Sequence, residues 1–325
     1  MIREEPLVSI CCITYNHEPY IRDAIEGFLM QEAGFPFEII IHDDASTDKT
    51  AEIIREYEQK HPDIIKPIYQ TENQYSKGVK PNPAYNFPRA RGKYIALCEG
   101  DDYWTDPKKL QKQVDVMEAN PECTMSSHAS KLKYEGRNIS EGLLRPKWKS
   151  SVFTTDEIIL GGGGFFATNS MVFKKNIIKN LPRFYLEAPV GDTPLVLLCA
   201  TEGSVFYIDE CMSVYRKNVP GSWNERVLHD RDKSKEHLIK MLQMYEQFDV
   251  YTIQKYSPSI RHQISKRIRY HLTYYSDCHG FSRVQLNNML DKLTIKDKMS
   301  VLIKMYLPII DISLKKLKNW FFSQL

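Results

Sequence analysis

The chain has 325 residues, of which 42% are hydrophobic, so it is long enough to bury a full core in one large domain with an appendage. Seven scattered cysteines without a CxxC pair argue against a zinc site or a disulfide framework and favour a reducing compartment. The sequence shows no signal-peptide pattern and no apolar run of the roughly 18 residues that a membrane span needs, so we expect a cytoplasmic protein.

The overall charge of +3 is unevenly distributed. Residues 226–325 contain 18 Lys and Arg against 9 Asp and Glu, a net charge of +9, whereas residues 1–225 have a net charge of −6. We therefore expect the two parts of the chain to meet different partners.

Strands and helices alternate in the first half of the chain. Apolar, β-branched runs predict strands over residues 7–14, 37–42, 64–69 and 93–98. Apolar residues at helical spacing predict helices over residues 21–29, 51–57 and 108–120. This alternation predicts an α/β fold with a mostly parallel sheet and helices on both faces.

The later elements are less regular. Further strands are predicted over residues 123–128, 168–173 and 205–216, the last as two short strands joined at Asp209-Glu210, and residues 131–151 are predicted to be a polar surface excursion. Helical spacing dominates in residues 237–248, 260–275, 284–293 and 301–322. We therefore predict an α/β domain over residues 1–225 and a basic helical region over residues 226–325.

Three of the predicted strands end in polar groups, at Thr14-Tyr15-Asn16, at Asp43-Asp44 and at Glu99-Gly100-Asp101-Asp102. Ligands of parallel α/β sheets bind beyond the carboxyl ends of the strands, so one shared site is expected there. The carboxylates after the fourth strand suit a divalent cation with oxygen ligands. Water or a helix N-terminus could satisfy them equally well.

Two further motifs have both a structural and a functional interpretation. Gly161–Gly164 precede no Lys-Ser/Thr pair, so they predict a flexible turn rather than a phosphate loop. Asp192 opens a helical run and could be either its cap or a functional carboxylate. The last predicted helix, with Lys315, Lys316 and Lys318 among apolar residues, could lie on an anionic membrane surface or pack on the α/β domain.

The order and spacing of these motifs resemble the family 2 glycosyltransferases, which are inverting enzymes of the GT-A fold, over roughly residues 6–220. The matching pieces are Val8-Ser9-Ile10, Thr14-Tyr15-Asn16, Gln31, the run from His42 to Asp48, the run from Ala90 to Ile95, and Gly100-Asp101-Asp102. The resemblance implies a Rossmann-like GT-A sheet, the fold of nucleotide-diphospho-sugar transferases.

The resemblance also implies roles for single residues. The nucleotide-sugar donor would be bound by Thr14, Tyr15, Asn16, Asp44, Arg91 and Asp101. Asp102 would be the direct ligand of Mn²⁺ or Mg²⁺, and Asp192 would be the catalytic base. The acceptor side would include Trp104, Gly164 and Asn169.

The implied reaction moves a sugar from a nucleotide-sugar, foremost a UDP-sugar, to a hydroxyl of a glycan or lipid-linked acceptor, as in cell-surface polysaccharide biosynthesis. The chain departs from the family pattern at Gly100, where an aspartate is common, and at Gly191, where an acidic residue is common. It also lacks the Gln-x-x-Arg-Trp element of processive relatives, so a non-processive enzyme is expected. The basic C-terminal helices would allow peripheral contact with the inner membrane face.

Other classes of protein fit the sequence less well. A sugar-nucleotide pyrophosphorylase needs a glycine-rich loop after the first strand, where this chain has Tyr15-Asn16-His17-Glu18. A sugar-nucleotide-binding scaffold on an inactive transferase fold remains open. No nucleic-acid partner is expected, because the basic residues of the C-terminal region alternate with apolar ones as in a packed helix.

Overall fold

The computed structural model describes residues 5–136, 142–222, 227, 230–274 and 281–306. The chain forms two compact units. The first comprises Met1–Tyr185 and Val190–Pro220, and the second comprises Leu186–Pro189 and Gly221–Leu325. The predicted domain boundary between residues 225 and 226 lies outside the described residues and stays a prediction.

The first unit contains a mixed ten-stranded sheet. Its strands are β1 (Val8–Thr14), β2 (Phe37–Asp43), β3 (Ile65–Tyr69), β4 (Tyr94–Leu97), β5 (Tyr103–Trp104), β6 (Cys123–Tyr134), β7 (Gly142–Leu144), β8 (Ser151–Phe153), β9 (Val172–Lys174) and β10 (Ser204–Lys217). The order across the sheet is β3-β2-β1-β4-β9-β6-β10-β5, with β7 beside β6 and β8 beside β10. The strands β3, β2, β1 and β4 are mutually parallel, as are β6 and β10, and the other pairs are antiparallel.

The helices of the first unit largely follow the predicted apolar periodicity. They are α1 (Ile21–Leu29), α2 (Thr50–Lys60), α3 (Phe87–Arg89), α4 (Lys109–Ala119), α5 (Thr155–Gly161), α6 (Arg183–Leu186) and α7 (Asp192–Glu202). In α1, Ile21, Ala24, Ile25 and Phe28 are buried, because their spacing places them on one face of the helix. That face joins the core formed with β1, β2 and β4. The predicted α/β fold is confirmed.

Three predicted elements differ from the structure, and one is the strand predicted over residues 168–173, whose first part, Thr168–Ser170, is a 3-10 helix that precedes β9. The strand predicted to end at residue 128 continues to Tyr134, because β10 pairs with it along its whole length. The two short strands predicted around Asp209-Glu210 are one strand, β10, whose register against β6 shifts between Ile208 and Cys211. A bulge accommodates polar residues in a strand without ending it, which the alternation of residues alone does not reveal.

The second unit is helical over its described residues. Its helices are α8 (Arg231–Tyr251), α9 (Ser257–Tyr274), α10 (Arg283–Asp291) and α11 (Ile295–Tyr306). Across the residues that the structure describes, no helix has both the length and the apolar character needed to cross a bilayer. The end of the last predicted helix, including Lys315, Lys316 and Lys318, lies outside the described residues.

Candidate active site

The carboxyl ends of β1, β2 and β4 meet at one edge of the sheet, here called the carboxyl edge (residues 14–16, 43–48 and 98–103). Thr14 pairs with Asp43 in the parallel register of β1 and β2. The backbone amide of Asp44 donates to the Thr14 carbonyl at 3.0 Å, and that of Gly100 donates to the Ile13 carbonyl at 2.9 Å. The three polar turns expected to share a site are therefore neighbours.

Three carboxylates form an acidic cluster at this edge: Glu99, Asp101 and Asp102. One oxygen from each lies within 4.8 Å of the others. Asp102 is fully buried, and the other two are half-buried. Burial, together with the carboxylates of Asp101 and Asp192, raises the pKa of Glu99 to about 8. Burial and the neighbouring carboxylates also raise the pKa of Asp102.

Such crowding disfavours full ionisation of the acidic cluster unless a cation joins it. The donor atoms are all hard carboxylate oxygens, which suit Mg²⁺ or Mn²⁺ better than softer metals. Glu99, Asp101 and Asp102 therefore fit a divalent cation.

Gly100 explains why the acidic cluster departs from the family pattern. A Cβ atom at this position would lie 2.6 Å from Thr14 Oγ1 and 3.1 Å from His17 Nδ1. Position 100 is therefore closed to the aspartate that the resemblance implies there, and Glu99 is the third carboxylate of the cluster. Thr14 Oγ1 is buried at this contact, and none of the described residues hydrogen-bonds to it.

A buried network of hydrogen bonds orients the Asp102 carboxylate. The Asn169 side-chain amide donates to Asp102 Oδ2 at 2.9 Å and to the Val214 carbonyl at 3.1 Å. Trp104 Nε1 donates to the Asn169 carbonyl at 2.8 Å, and both side chains are buried. The structure thus corrects the prediction that Trp104 and Asn169 face an acceptor, because their polar atoms are used inside the fold to orient Asp102.

Arg216, at the end of β10, braces the acidic cluster from another side. Its backbone amide donates to Asp102 Oδ1 at 2.8 Å, and its Nη1 donates to the Asp101 carbonyl at 2.7 Å. Its remaining guanidinium nitrogens contact Glu135 and Asp23. Arg216 is almost fully buried, and these acceptors compensate the cost of burying its positive charge. The chain turn that displays the cluster is therefore fixed at several atoms.

Lys217 brings a positive charge to the same place. Burial lowers the pKa of Lys217, while the carboxylates of Asp102, Glu99 and Asp192 act in the opposite direction. Its ammonium also lies 3.9 Å from the centroid of the Tyr215 ring. Sequence reasoning missed Lys217 and Arg216, although their position at the end of a strand in a candidate catalytic domain was a usable signal.

Asp44 anchors the segment that follows β3. Its carboxylate accepts from the backbone amides of Gln74 at 2.8 Å and Tyr75 at 3.0 Å. These bonds fix residues 74–75 beside the carboxyl edge. Two carboxylate oxygens offer about four acceptor positions, so capacity remains for one further donor such as a base N–H.

The turn after β1 is locked to the turn after β2. Asn16 has a left-handed backbone with φ of 55°, which asparagine tolerates better than most residues. Its side-chain Oδ1 accepts a hydrogen bond from the Thr47 backbone amide at 2.8 Å. Its backbone amide donates to Ser46 Oγ at 2.9 Å. Asn16 therefore shapes the edge, while Thr14 and Tyr15 sit on the same turn.

Asp192 is the first residue of α7, with Gly191 as the cap. Its carboxylate is close enough to the acidic cluster to influence the pKa of Glu99. Asp192 also lines a small cavity with Gly162, Gly164, Phe165 and Phe166. Gly162 and Gly164 have positive φ angles of 71° and 77°, which only glycine adopts without strain. The glycine run is therefore a shaped turn beside a carboxylate.

Lys80 ties the segment after β3 to the residues that precede Asp192. Its Nζ donates to the Tyr185 carbonyl at 2.7 Å and to the Val190 carbonyl at 3.4 Å. Burial lowers the pKa of Lys80 to about 8. Lys80 thus ties the backbone two residues before Asp192 to the segment that follows β3.

Arg91 lies at the other end of β1. Its guanidinium donates to Glu38 Oε2 through Nε at 2.9 Å and through Nη2 at 2.7 Å. Glu38 is near the start of β2 and pairs with Ser9, near the start of β1. Five residues of strand, about 17 Å, separate Ser9 from Thr14. The prediction that Arg91 binds the nucleotide-sugar is therefore corrected: it forms an ion pair at the opposite edge of the sheet.

Sequence comparison places this geometry in a family. The family model described as "Glycosyl transferase family 2" matches residues 9–181. An uncharacterized protein of Mycobacterium tuberculosis is 38% identical over 221 residues, which is 67% of this chain and 60% of that protein. The chain thus spans less than two thirds of the length of this relative.

A second relative has a more specific name. The UDP-Glc:alpha-D-GlcNAc-diphosphoundecaprenol beta-1,3-glucosyltransferase WfaP of Escherichia coli is 37% identical over 112 residues. The match covers 34% of this chain and 41% of WfaP.

Solved structures of low sequence identity share the fold. Staphylococcus aureus TarS 1–349 in complex with UDP-GlcNAc has a TM-score of 0.57 at 17% identity, covering 92% of this chain and 80% of that one. Mannosyltransferase PcManGT of Pyrobaculum calidifontis, in complex with GDP-Man and Mn²⁺, has a TM-score of 0.52 at 16% identity, covering 97% of this chain and 88% of that one. The family match, supported by this shared fold, shows that the chain belongs to glycosyl transferase family 2.

Proposed function

We propose that the protein is an inverting, metal-dependent, non-processive glycosyltransferase that moves a sugar from a nucleotide-sugar to a hydroxyl of a glycan or lipid-linked acceptor. The observation that carries the proposal is the acidic cluster at the carboxyl edge, with Asp192 and Lys217 near enough to act on the pKa of Glu99. Family membership favours transfer over the pyrophosphorylase alternative.

The donor would lie along the carboxyl edge. Thr14, Tyr15 and Asn16 line the turn after β1, and Asp44 retains acceptor capacity for a base N–H. TarS has been solved with UDP-GlcNAc and PcManGT with GDP-Man, which supports a nucleotide-sugar donor in general. We favour a UDP-sugar, because the name of WfaP, one of the relatives, gives UDP-Glc as its donor.

Asp101 and Asp102, with Glu99 beside them, would hold the divalent cation. When bound, Mn²⁺ or Mg²⁺ would neutralise the negative charge of the donor diphosphate and of the leaving group. Lys217 would add a second positive charge, since these carboxylates act electrostatically on its ammonium. PcManGT, solved with Mn²⁺, supports Mn²⁺ as the first metal to test.

Asp192 would act as the general base. A sugar hydroxyl is a weak nucleophile, so a positioned carboxylate must accept its proton as the new bond forms. The attack displaces the nucleoside diphosphate from the opposite face of the anomeric carbon, and one such displacement inverts the configuration. Asp192 lines the cavity beside Gly164, where an acceptor hydroxyl could enter.

We place the reaction in cell-surface polysaccharide biosynthesis at the inner membrane face. WfaP acts on a diphosphoundecaprenol-linked acceptor, which supports a lipid-linked acceptor for this chain as well. The five buried, unpaired cysteines of the first unit suit a reducing cytoplasm. The net charge of +9 on residues 226–325 suits an anionic membrane surface.

Asp192→Asn tests the catalytic role. We expect turnover to fall by about 10²- to 10⁴-fold, because the base is lost while the shape is kept. Donor affinity should stay within about twofold, since Asp192 contacts the acceptor in this mechanism. Transfer from a UDP-sugar to diphosphoundecaprenol-linked N-acetylglucosamine, and to a diphosphoundecaprenol-linked oligosaccharide, would be followed with Mn²⁺ and with EDTA.

Asp115→Asn, an exposed carboxylate on α4, is the matched control and should retain full activity. The anomeric configuration of the product, measured by NMR, should be opposite to that of the donor. Retained configuration, or unchanged turnover in Asp192→Asn, would contradict the proposed mechanism. Donor binding without any metal-dependent transfer or hydrolysis would favour the inactive scaffold.

A further inference from the structure

Trp148 is an exposed tryptophan whose orientation is fixed by its neighbours. It lies between β7 and β8 and is 79% exposed. The guanidinium of Arg145 lies 4.0 Å from its ring centroid. That guanidinium donates two hydrogen bonds to the Asp209 carboxylate, from Nε at 2.7 Å and from Nη2 at 2.7 Å. One side of the indole thus rests on a clamped planar group, and most of the ring remains open to solvent.

Such exposure is unusual for a tryptophan. Tryptophan is usually largely buried, and Trp104 of the same chain is 2% exposed with its indole N–H hydrogen-bonded. An exposed aromatic ring held in one orientation loses little conformational entropy on binding, which is why such rings serve as anchors in recognition sites. Trp148 has the properties of a preorganised binding platform.

A group of aromatic rings that follows this platform in the sequence packs on the cavity of Asp192. Phe153, on β8, packs edge-on against Phe165 and Phe166 with ring centroids 5.0 and 5.5 Å apart. Phe165 and Phe166 line the cavity that contains Asp192. Trp148 precedes Phe153 by five residues, so their Cα atoms lie within about 18 Å of each other. An acceptor that extends out of the cavity would have to span this separation to reach the platform.

We propose that Trp148 binds a pyranose ring of the acceptor glycan, beyond the sugar that reacts at Asp192. The C–H groups on one face of a pyranose are weakly positive and match the negative π face of the indole. This inference rests on the proposed function, and it specifies the acceptor as an oligosaccharide of several sugars.

The neighbouring charges favour a sugar over a lipid surface. Asp209 lies directly behind Arg145 and also accepts a hydrogen bond from Tyr207 at 3.1 Å. Inserting Trp148 into a bilayer would bring this carboxylate and its ion pair toward a region of low dielectric constant, which is unfavourable. A sugar ring stacked on the indole leaves the ion pair in water.

The test measures oligosaccharide binding to the full chain. The probes are gluco-, manno- and N-acetylglucosamine pentasaccharides and the corresponding monosaccharides, titrated by calorimetry in the presence of Mn²⁺ and UDP. We expect at least one pentasaccharide to bind the wild type more tightly than its monosaccharide. Trp148→Ala should weaken that pentasaccharide by roughly 10- to 30-fold, since a large stacked surface is lost. Trp148→Phe should weaken it by less than about threefold.

Val152→Ala, an exposed apolar residue on the same segment, is the control and should have no effect. Equal affinity in Trp148→Ala and wild type would overturn the proposal, as would the failure of every pentasaccharide to bind the wild type. A loss of binding to phosphatidylcholine–phosphatidylglycerol vesicles in Trp148→Ala, with oligosaccharide binding unchanged, would assign the ring to a membrane instead. The proposed function would be overturned separately if no nucleotide-sugar bound the wild type. The oligosaccharide titration does not depend on that result, because it contains UDP and no sugar donor.

Discussion

Lys109 is a single residue beside the site whose burial destabilises the folded protein. Its side chain is 0% exposed, and Nζ lies 3.9 Å from the centroid of the Trp104 ring. Among the residues that the structure describes, no acceptor hydrogen-bonds to this Nζ. Burial lowers the pKa of Lys109 from its ordinary value of 10.5 to about 7. The buried ammonium is therefore a source of instability at neutral pH.

This instability predicts a pH-dependent effect of Lys109→Met. Between pH 7 and 10.5 the unfolded chain binds a proton that the folded chain has lost, so wild-type stability should rise with pH across this window. Methionine has a similar shape and no charge. We expect Lys109→Met to be more stable than wild type near pH 7, by at most about 4 kcal/mol, and the difference to shrink toward pH 10.

Urea denaturation of both proteins at pH 7, 8, 9 and 10 measures this difference. A difference that does not change with pH would mean that the Lys109 ammonium is compensated in the folded protein. The wild type would then gain no stability from deprotonation of Lys109.

Single residues also show which site predictions were possible from sequence. Asp101 and Asp102 were predictable because carboxylates directly follow a buried strand, and burial without a partner is too costly for them. Arg91 was misplaced because a motif does not reveal that its guanidinium would reach Glu38 rather than a ligand. Asn169 was assigned to the acceptor because its bond to Asp102 joins residues 67 positions apart.

At the scale of elements, the turn between β4 and β5 displays the acidic cluster and tolerates little change. Gly100 packs directly on Thr14, where even a methyl group would lie 2.6 Å from Oγ1. Two residues further on, Asp102 is fixed at both of its carboxylate oxygens by Arg216 and Asn169. The backbone of this turn therefore cannot move away to accommodate a new side chain.

Gly100→Ala should consequently damage both stability and donor binding. We expect a loss of about 1 to 3 kcal/mol in the free energy of unfolding, the usual cost of overpacking, and a large loss of metal-dependent donor affinity. Gly34→Ala is the control, because a Cβ atom there meets only Gln111 Oε1 at an ordinary 3.4 Å. Normal donor binding by Gly100→Ala would show that the turn is more adaptable than its contacts imply.

The elements themselves were predictable where periodicity was strong. The strands β1, β2 and β4 and the helix α1 follow from mostly apolar runs and a clear helical repeat. The sequence did not predict that β6 extends to Tyr134 or that β10 is one continuous strand, because a polar strand is stabilised by its partner. The pairing of these two strands joins residues about 80 positions apart. Long-range pairing of this kind leaves little local signal.

At the scale of the whole molecule, the charge is divided between the two parts of the chain. Residues 1–225 carry a net charge of −6 and include the acidic cluster, whereas residues 226–325 carry +9. A basic region can attract an anionic membrane surface by about 1 kcal/mol for each lysine or arginine near it. The proposed access to a lipid-linked acceptor would depend on this attraction.

Reversing part of the positive charge tests that dependence. In the full chain, changing Lys315, Lys316 and Lys318 to Glu should weaken binding to phosphatidylcholine vesicles containing phosphatidylglycerol by roughly 100-fold or more. The same change at the exposed Lys49, Lys60 and Lys179 of the first unit is the control and should have a much smaller effect. Equal vesicle binding by both triple variants in a flotation assay would contradict membrane contact through the C-terminal region.

The most direct test of the central claim is a thermal-shift comparison of UDP-, GDP-, dTDP- and CMP-sugars, each with and without Mn²⁺. It would be run on wild type, Asp102→Asn and the control Asp115→Asn, with each shift measured from the variant's own melting temperature. A ligand at 100 times its dissociation constant stabilises the folded state by about 2.7 kcal/mol, which is readily measured.

We predict that one nucleotide class stabilises wild type and Asp115→Asn only when Mn²⁺ is present, and that Asp102→Asn loses this shift. The same stabilisation in Asp102→Asn, or without metal, would contradict a metal-dependent donor site at the acidic cluster. Absence of a shift with every nucleotide-sugar would contradict the donor site altogether.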